Sequence, residues 1–365
     1  MKRLLCCIMA LTMIGSATAF AAEPVDNSAI AEKALSEVTA LYEDLYTITN
    51  AEAEVQNSTY DDMGNIIVDV VVSFDRTLKA TCAEDMPYIQ GLEIALTELT
   101  DPDEISAASA YIDAKKADLE DNYIGVAQDT YIELQVTVPI ATARSNAAQA
   151  IGIDNIEYVG MNENVPAKEL APDSNQAMME SAILNITERM ATPSTRASTI
   201  NSVIKNYDRV RARDYARDWS CTNGSLYDHA TCHNPEYTFY ASNDCTNFVS
   251  QCLVYGGLPT DSKWKPYTEP WKTTGNAGNG IRQYLTNNGL FFHSTNEKEA
   301  FAGSIINWLN SDGTNAGHVG LVDQNDTATM TFCAHTRCRR SCPWTGEKVD
   351  FYIPYWDSYE GDWTK

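Results

Sequence analysis

Cysteine and histidine can act together as nucleophile and base near neutral pH, and this chain places a cysteine where such chemistry starts well. In HNPEYTFYASNDCTNFVSQCLVYGGLP an extended stretch meets a predicted helix at Asp244-Cys245. Phe248, Val249, Cys252 and Leu253 recur at helical spacing, Asp244 suits an N-cap, and Gly256-Gly257 with Pro259 end the run. Cys245 therefore falls in the first helical turn. The partial positive charge there favours thiolate over thiol, and the free backbone N–H groups can hold an oxyanion. The competing assignment is a structural or bridged cysteine.

Two histidines are placed to serve the thiol. His318 opens HVGLV, a short apolar strand after the loop SDGTNAG, and His335 ends the strand through TATMTFCAHT. If the strands form a hairpin around Gln324 to Asp326, register decides whether the two rings share a face. A two- or four-residue loop gives odd paired sums and puts them together; a three-residue loop separates them. On the first alternative the arrangement is Cys-His-His, with His335 orienting His318.

Eight cysteines lie beyond the first twenty residues, and outside a cell some are expected to pair. Cys221 and Cys232 flank a polar loop and most simply form a disulfide, while His229 and His233 nearby permit a metal-site reading. FCAHTRCRRSC offers Cys333, His335, Cys338 and Cys342 as zinc ligands at an unfamiliar spacing. Zinc there would remove His335 from catalysis. Cys333, two residues from His335, would face the same way.

The elements that must position these residues occupy the second half of the chain. Of 50 acidic and 26 basic side chains, residues 23–196 hold 32 and 9, while every histidine and tryptophan lies beyond them. The net charge of −24 therefore sits almost wholly in the first half, a poor match for nucleic-acid or anionic-membrane binding. That half reads as α+β: helices over Ser28–Thr49, Met86–Leu99, Glu104–Glu120 and Asn175–Met190, with strands over Asn65–Phe74 and Tyr131–Ile140. It shows no motif with chemistry. The first residues have the basic start, short apolar run and small residues of a secretory signal peptide cleaved near Ala21. The expected organisation is a leader at 1–21, an acidic α+β domain at 22–190, a Pro/Ser/Thr linker at 191–204 and a second domain at 205–365. No later stretch approaches a membrane span, so the expectation is an exported protein.

NYDRVRARDYARDW, DCTNFVSQC, Trp264, Trp271, AGSIINW, HVGLV and AHTRC resemble the amidase domain of secreted Gram-positive bacterial proteins, a relative of NlpC-type and CHAP cell-wall peptidases. The likeness covers roughly residues 205–345. It implies a papain-like α+β fold, Cys245 as nucleophile, His318 as general base and His335 as orienting group. Asp244 matches the acidic residue that helps hold a free peptide amine in NlpC-type enzymes. Peptidoglycan or related peptides are the substrates it implies, and no cofactor is called for. One departure is Gly303-Ser304, where such domains often have Gly-Asp. The alternatives are a surface-binding protein with a degenerate papain-like domain and an acyltransferase of the same fold.

Overall fold

The computed structural model describes residues 26–139, 151–191, 204, 206–222, 232–275 and 279–355. The expected leader, nearly all of the linker and His229 lie outside them.

The fold is α+β, with one antiparallel sheet from each half of the chain. In the first, β1 (Tyr46–Tyr60), β2 (Ile66–Leu78), β3 (Gln128–Val138), β4 (Ile156–Val159) and β5 (Asn164–Pro166) pair in sequence order. Strands β2 and β3 alternate buried and half-buried residues along their length, the two-residue period that makes a sheet one-sided. Helix α1 (Asn27–Ala40) buries Ile30, Ala34 and Val38 and is capped by Asp26, whose Oδ1 accepts from the Ser28 and Ala29 N–H groups. Helices α2 (Pro87–Glu98), α3 (Pro102–Asn122) and α4 (Asn175–Ala191) match the sequence expectation closely.

The first expected helix is too long. It stops at Ala40, and from Tyr46 the chain is the edge strand β1. Thr47 and Ile48 pair with Thr77 and Arg76 of β2, so ladder hydrogen bonds override the helical spacing of Leu41 and Leu45.

The second half begins with α5 (Arg209–Asp218) and α6 (Cys245–Tyr255), followed by the short helices α7 (Glu269–Lys272) and α8 (Ile281–Asn287). Its sheet comprises β6 (Phe291–Ser294), β7 (Ile305–Leu309), β8 (Asn315–Asn325), β9 (Met330–Ala334), β10 (Arg339–Pro343) and β11 (Val349–Pro354). The strand order is β10-β9-β8-β7-β11-β6. Helices α5 and α6 approach closely at Gly256, where a Cβ would stand 2.9 Å from that of Ala212.

The acidic half does not stand apart. Cations of the second half reach carboxylates of the first: Arg209 to Asp118, Arg339 to Glu133, Arg340 to Asp129 (3.4 Å) and Lys298 to Asp173 (2.6 Å). One pair runs the other way, from buried Arg76 to buried Asp326 at 3.1 Å, with Arg76 also donating to Gln324 Oε1 at 2.7 Å. Buried apolar residues of both halves form a continuous cluster. Among the described residues no helix is long and apolar enough to cross a membrane.

Candidate functional site

Cys245 is the first residue of α6 and is buried, as are Phe248, Val249, Cys252 and Leu253 on the same helix. Indole groups fix the helix from outside. Trp271 Nε1 donates to Asn247 Oδ1 (2.7 Å), Ser250 Oγ donates to the Trp271 carbonyl (3.0 Å), and Trp264 Nε1 donates to Ser250 Oγ (3.2 Å). Asp244 occupies the N-cap position, yet its side chain makes no cap bond. Its Oδ1 instead accepts from the Tyr240 N–H (3.0 Å) and Asn247 Nδ2 (2.8 Å). Thr336 supplies the cap from a distant loop: its Oγ1 accepts from the Asp244 N–H (3.0 Å) and the Cys245 N–H (3.2 Å). A β-branched residue rarely adopts the left-handed conformation that Thr336 holds, with φ at 78°.

The Cys245 thiol lies against β8, with Sγ 3.7 Å from the Gly317 carbonyl oxygen. Burial raises its pKa above the ordinary value, and opposing hydrogen bonds from the Val319 backbone and the Thr246 and Thr336 side chains do not offset it. The resting group is thus a thiol. The helix terminus does not yield the thiolate expected from position alone, because desolvation of a charged sulfur costs more than partial N-terminal charge returns.

Register decides the histidines. The β8–β9 turn is a four-residue loop, and Asn325–Met330 and Gln324–Thr331 pair with odd sums. A bulge at Asp323 then shifts the ladder, so Val322 faces Phe332 and Leu321 faces Cys333, with even sums. Continued to the strand ends, this register turns His318 and His335 to opposite faces. His318 pairs with Trp308 of β7, their ring centroids 5.0 Å apart, on the face that also carries Phe332. His335 lies on the α6 side, stacked on Phe248 at 3.9 Å. The expected orientation of His318 by His335 is therefore not formed.

Each ring nitrogen of His335 meets another acceptor. Nδ1 lies 2.7 Å from Asp244 Oδ2, and Nε2 donates to the Trp219 carbonyl oxygen at 2.5 Å. Asp244, expected to hold a substrate amine, is buried and turned to His335 instead. His318 is partly exposed as a residue, but its Nε2 is covered and has no hydrogen-bond partner among the described residues. Burial, reinforced by the Arg339 and Arg337 charges, lowers its pKa to about 4. The ring is neutral, and in these surroundings it resists taking a proton. The structure thus brings Cys245 against the backbone on either side of His318, while the imidazole stands beside Trp308.

Cys221 and Cys232 form the expected disulfide. The ligand set read from FCAHTRCRRSC is not assembled: among the described residues the one group of three potential metal ligands is Cys221, Cys232 and Cys338. Cys252 and Cys333 are free and buried. Thr336 and the Trp219 carbonyl, both at the site, were not readable beforehand. A backbone carbonyl has no sequence signature, and Thr336 gives none beyond standing next to His335.

The protein named "Uncharacterized protein YjcM" of Bacillus subtilis (strain 168) is 32% identical over 99 residues, 27% of this chain and 21% of the relative. "Uncharacterized protein YhbB" of the same strain is 27% identical over 159 residues, 40% of this chain and 47% of the relative. The chain thus spans between a fifth and a half of the length of these curated relatives. No solved structure matches it. Residues 206–355, the stretch that contains α5, α6 and the whole second sheet, match the family model described as "Putative amidase domain".

Proposed function

We propose that the second half of the chain is a cysteine-dependent amidase of papain-like design, with Cys245 as nucleophile and His318 as its base. One observation carries the reading: the Cys245 thiol opens a buried helix and lies against the backbone flanking His318, inside the stretch that matches the amidase family.

The reaction needs two local movements from the resting geometry. The backbone at Gly317-His318 twists, which the glycine permits, so that the His318 ring swings from the Trp308 face to the Sγ face, leaves the surroundings that depress its pKa, and takes the thiol proton. As sulfur attacks the amide carbonyl, the developing oxyanion takes the Cys245 N–H from Thr336 Oγ1. The imidazolium then protonates the leaving amine, and water, deprotonated by the same ring, releases the acyl group. The Asp244–His335–Trp219 chain holds the helix start in place rather than handling protons. Amides of peptidoglycan stem peptides are the proposed substrates, acted on outside the cell. The basic and apolar first residues support export, and mature protein from a culture supernatant should begin near Ala22.

A second reading has a specific observation in its favour. A buried thiol, an occupied Cys245 N–H and an averted imidazole are also what a domain that binds without cleaving would show. The test is the full-length chain against Cys245→Ser on purified peptidoglycan, with released peptides and new amines read by mass spectrometry. The amidase reading expects release by the first protein and none by the second. Equal product from both, or none from either across several amide substrates, sinks it; acyl groups appearing on added amines would redirect it to transfer.

A further inference from the structure

Three sulfurs converge beside the candidate site without belonging to it. Cys221 follows α5, Cys232 returns to the described chain eleven residues later, and Cys338 lies between β9 and β10. Cys338 Sγ stands 2.9 Å from Cys221 Sγ and 3.4 Å from Cys232 Sγ, and the three sulfurs lie within 4.8 Å of one another.

Three cysteines in mutual contact hold one bridge at most, so one sulfur is always left over. The leftover sulfur here is nearly equidistant from the other two. Thiol–disulfide exchange needs the attacking sulfur behind one partner and far from the other, in line with the bond that breaks. This sulfur stands beside the bond. A soft cation can take all three sulfurs at once, because coordination deprotonates a thiol outright. The Cys221 N–H already donates to Cys338 Sγ at 2.9 Å, a bond that stabilises negative charge on that sulfur.

We propose that Cys221, Cys232 and Cys338 form a three-thiolate site for a thiophilic divalent cation of the zinc type, occupied when the Cys221–Cys232 bridge is open. Zinc takes thiolates at about 2.3 Å in a tetrahedron, and solvent fills the fourth position next to partly exposed Cys221. The site ties together two backbone stretches that hold the start of α6. Trp219, whose carbonyl accepts from His335, is two residues before Cys221, and Thr336 is two residues before Cys338. Opening the bridge with a phosphine converts it to two thiols while the phosphine takes oxygen from water. The cation then displaces three thiol protons.

The test uses the full-length chain and cobalt(II) alone, titrated without oxygen after phosphine treatment. One cobalt per chain should bind, with thiolate-to-cobalt charge-transfer absorption and the strong ligand-field bands of four-coordinate cobalt. Cys338→Ser and, separately, Cys221→Ala should weaken binding by at least on the order of 10–100-fold, since loss of even a supporting partner costs that much. Cys342→Ser should leave it unchanged, and circular dichroism of each variant verifies that the fold is kept. The chain with its bridge intact should bind no cobalt through sulfur. The proposal is overturned if the reduced chain takes up no cobalt, if uptake shows only the weak bands of oxygen ligands from acidic surface groups, or if Cys338→Ser and Cys221→Ala both leave the spectrum intact. None of these outcomes depends on amide cleavage.

Discussion

At Cys245 two effects of opposite sign meet on one sulfur. Helix-start N–H groups lower the free energy of the thiolate, burial raises it, and burial prevails. At His318 the effects act together instead of competing, since burial and two arginines both hold the ring neutral. This has a measurable consequence. In the unfolded chain the imidazole takes a proton below about 6.5, whereas in the fold it stays neutral down to about 4. The unfolded state therefore binds more protons between those values, and the stability contributed by neutral His318 is complete above pH 6.5 and lost as pH falls towards 4. Urea melts at pH 7 and pH 5 should show the native chain losing about 1–2 kcal/mol more than His318→Phe. Equal losses would mean that the ring titrates normally. Cys245, Asp244 and His335 stand out as candidates from residue type and neighbours alone. What joins them does not, because Thr336 and the Trp219 carbonyl reach the site only through tertiary contact.

For single elements, legibility followed the strength of the local pattern. Strands β2 and β3 announce themselves by alternation, and α2, α3 and α4 by apolar spacing between Pro, Asp and Asn signals. Strand β1 does not, since most of its residues are exposed and its pairing comes from β2. The β8–β9 hairpin shows the limit more sharply. Its four-residue loop by itself puts the two histidines on one face, but Asp323 adds an unpaired residue that reverses the facing of everything before it. Its carboxylate is buried and accepts from Arg217, so a distant cation accompanies a local irregularity. Packing between α2 and α4 offers a direct check on element geometry. A Cβ on Gly91 would stand 2.6 Å from the Met179 carbonyl oxygen and 2.8 Å from Ala182 Cβ. Gly91→Ala should destabilise by about 1–3 kcal/mol despite alanine's better helix propensity, read as a lower urea midpoint with an unchanged slope. An unchanged midpoint would show that the two helices can part at no cost.

Across the whole molecule the charge asymmetry turns from a composition statistic into a docking code. A boundary between an acidic half and a nearly neutral one was visible in the sequence, but the partners of those acids were not, because they lie hundreds of residues away. Arg76 is the clearest case. It is buried with Asp326, and Tyr46 donates to the same carboxylate at 2.8 Å. Arg76→Met should cost about 3–5 kcal/mol by leaving Asp326 buried without its cation, and adding Asp326→Asn should recover part of the loss. Two independent melting transitions in the native chain, with only one moved by Arg76→Met, would contradict coupled halves. The span of these pairs also sets an order of events in time. Arg76 is separated from Asp326 by 250 positions and Glu133 from Arg339 by 206. At typical synthesis rates Glu133 waits about 10–40 s for its guanidinium. For most of that interval, once β5 has been made, the first sheet has its strands but not its counter-charges, so a nascent chain stalled before Arg339 should remain open to proteases that the finished protein resists.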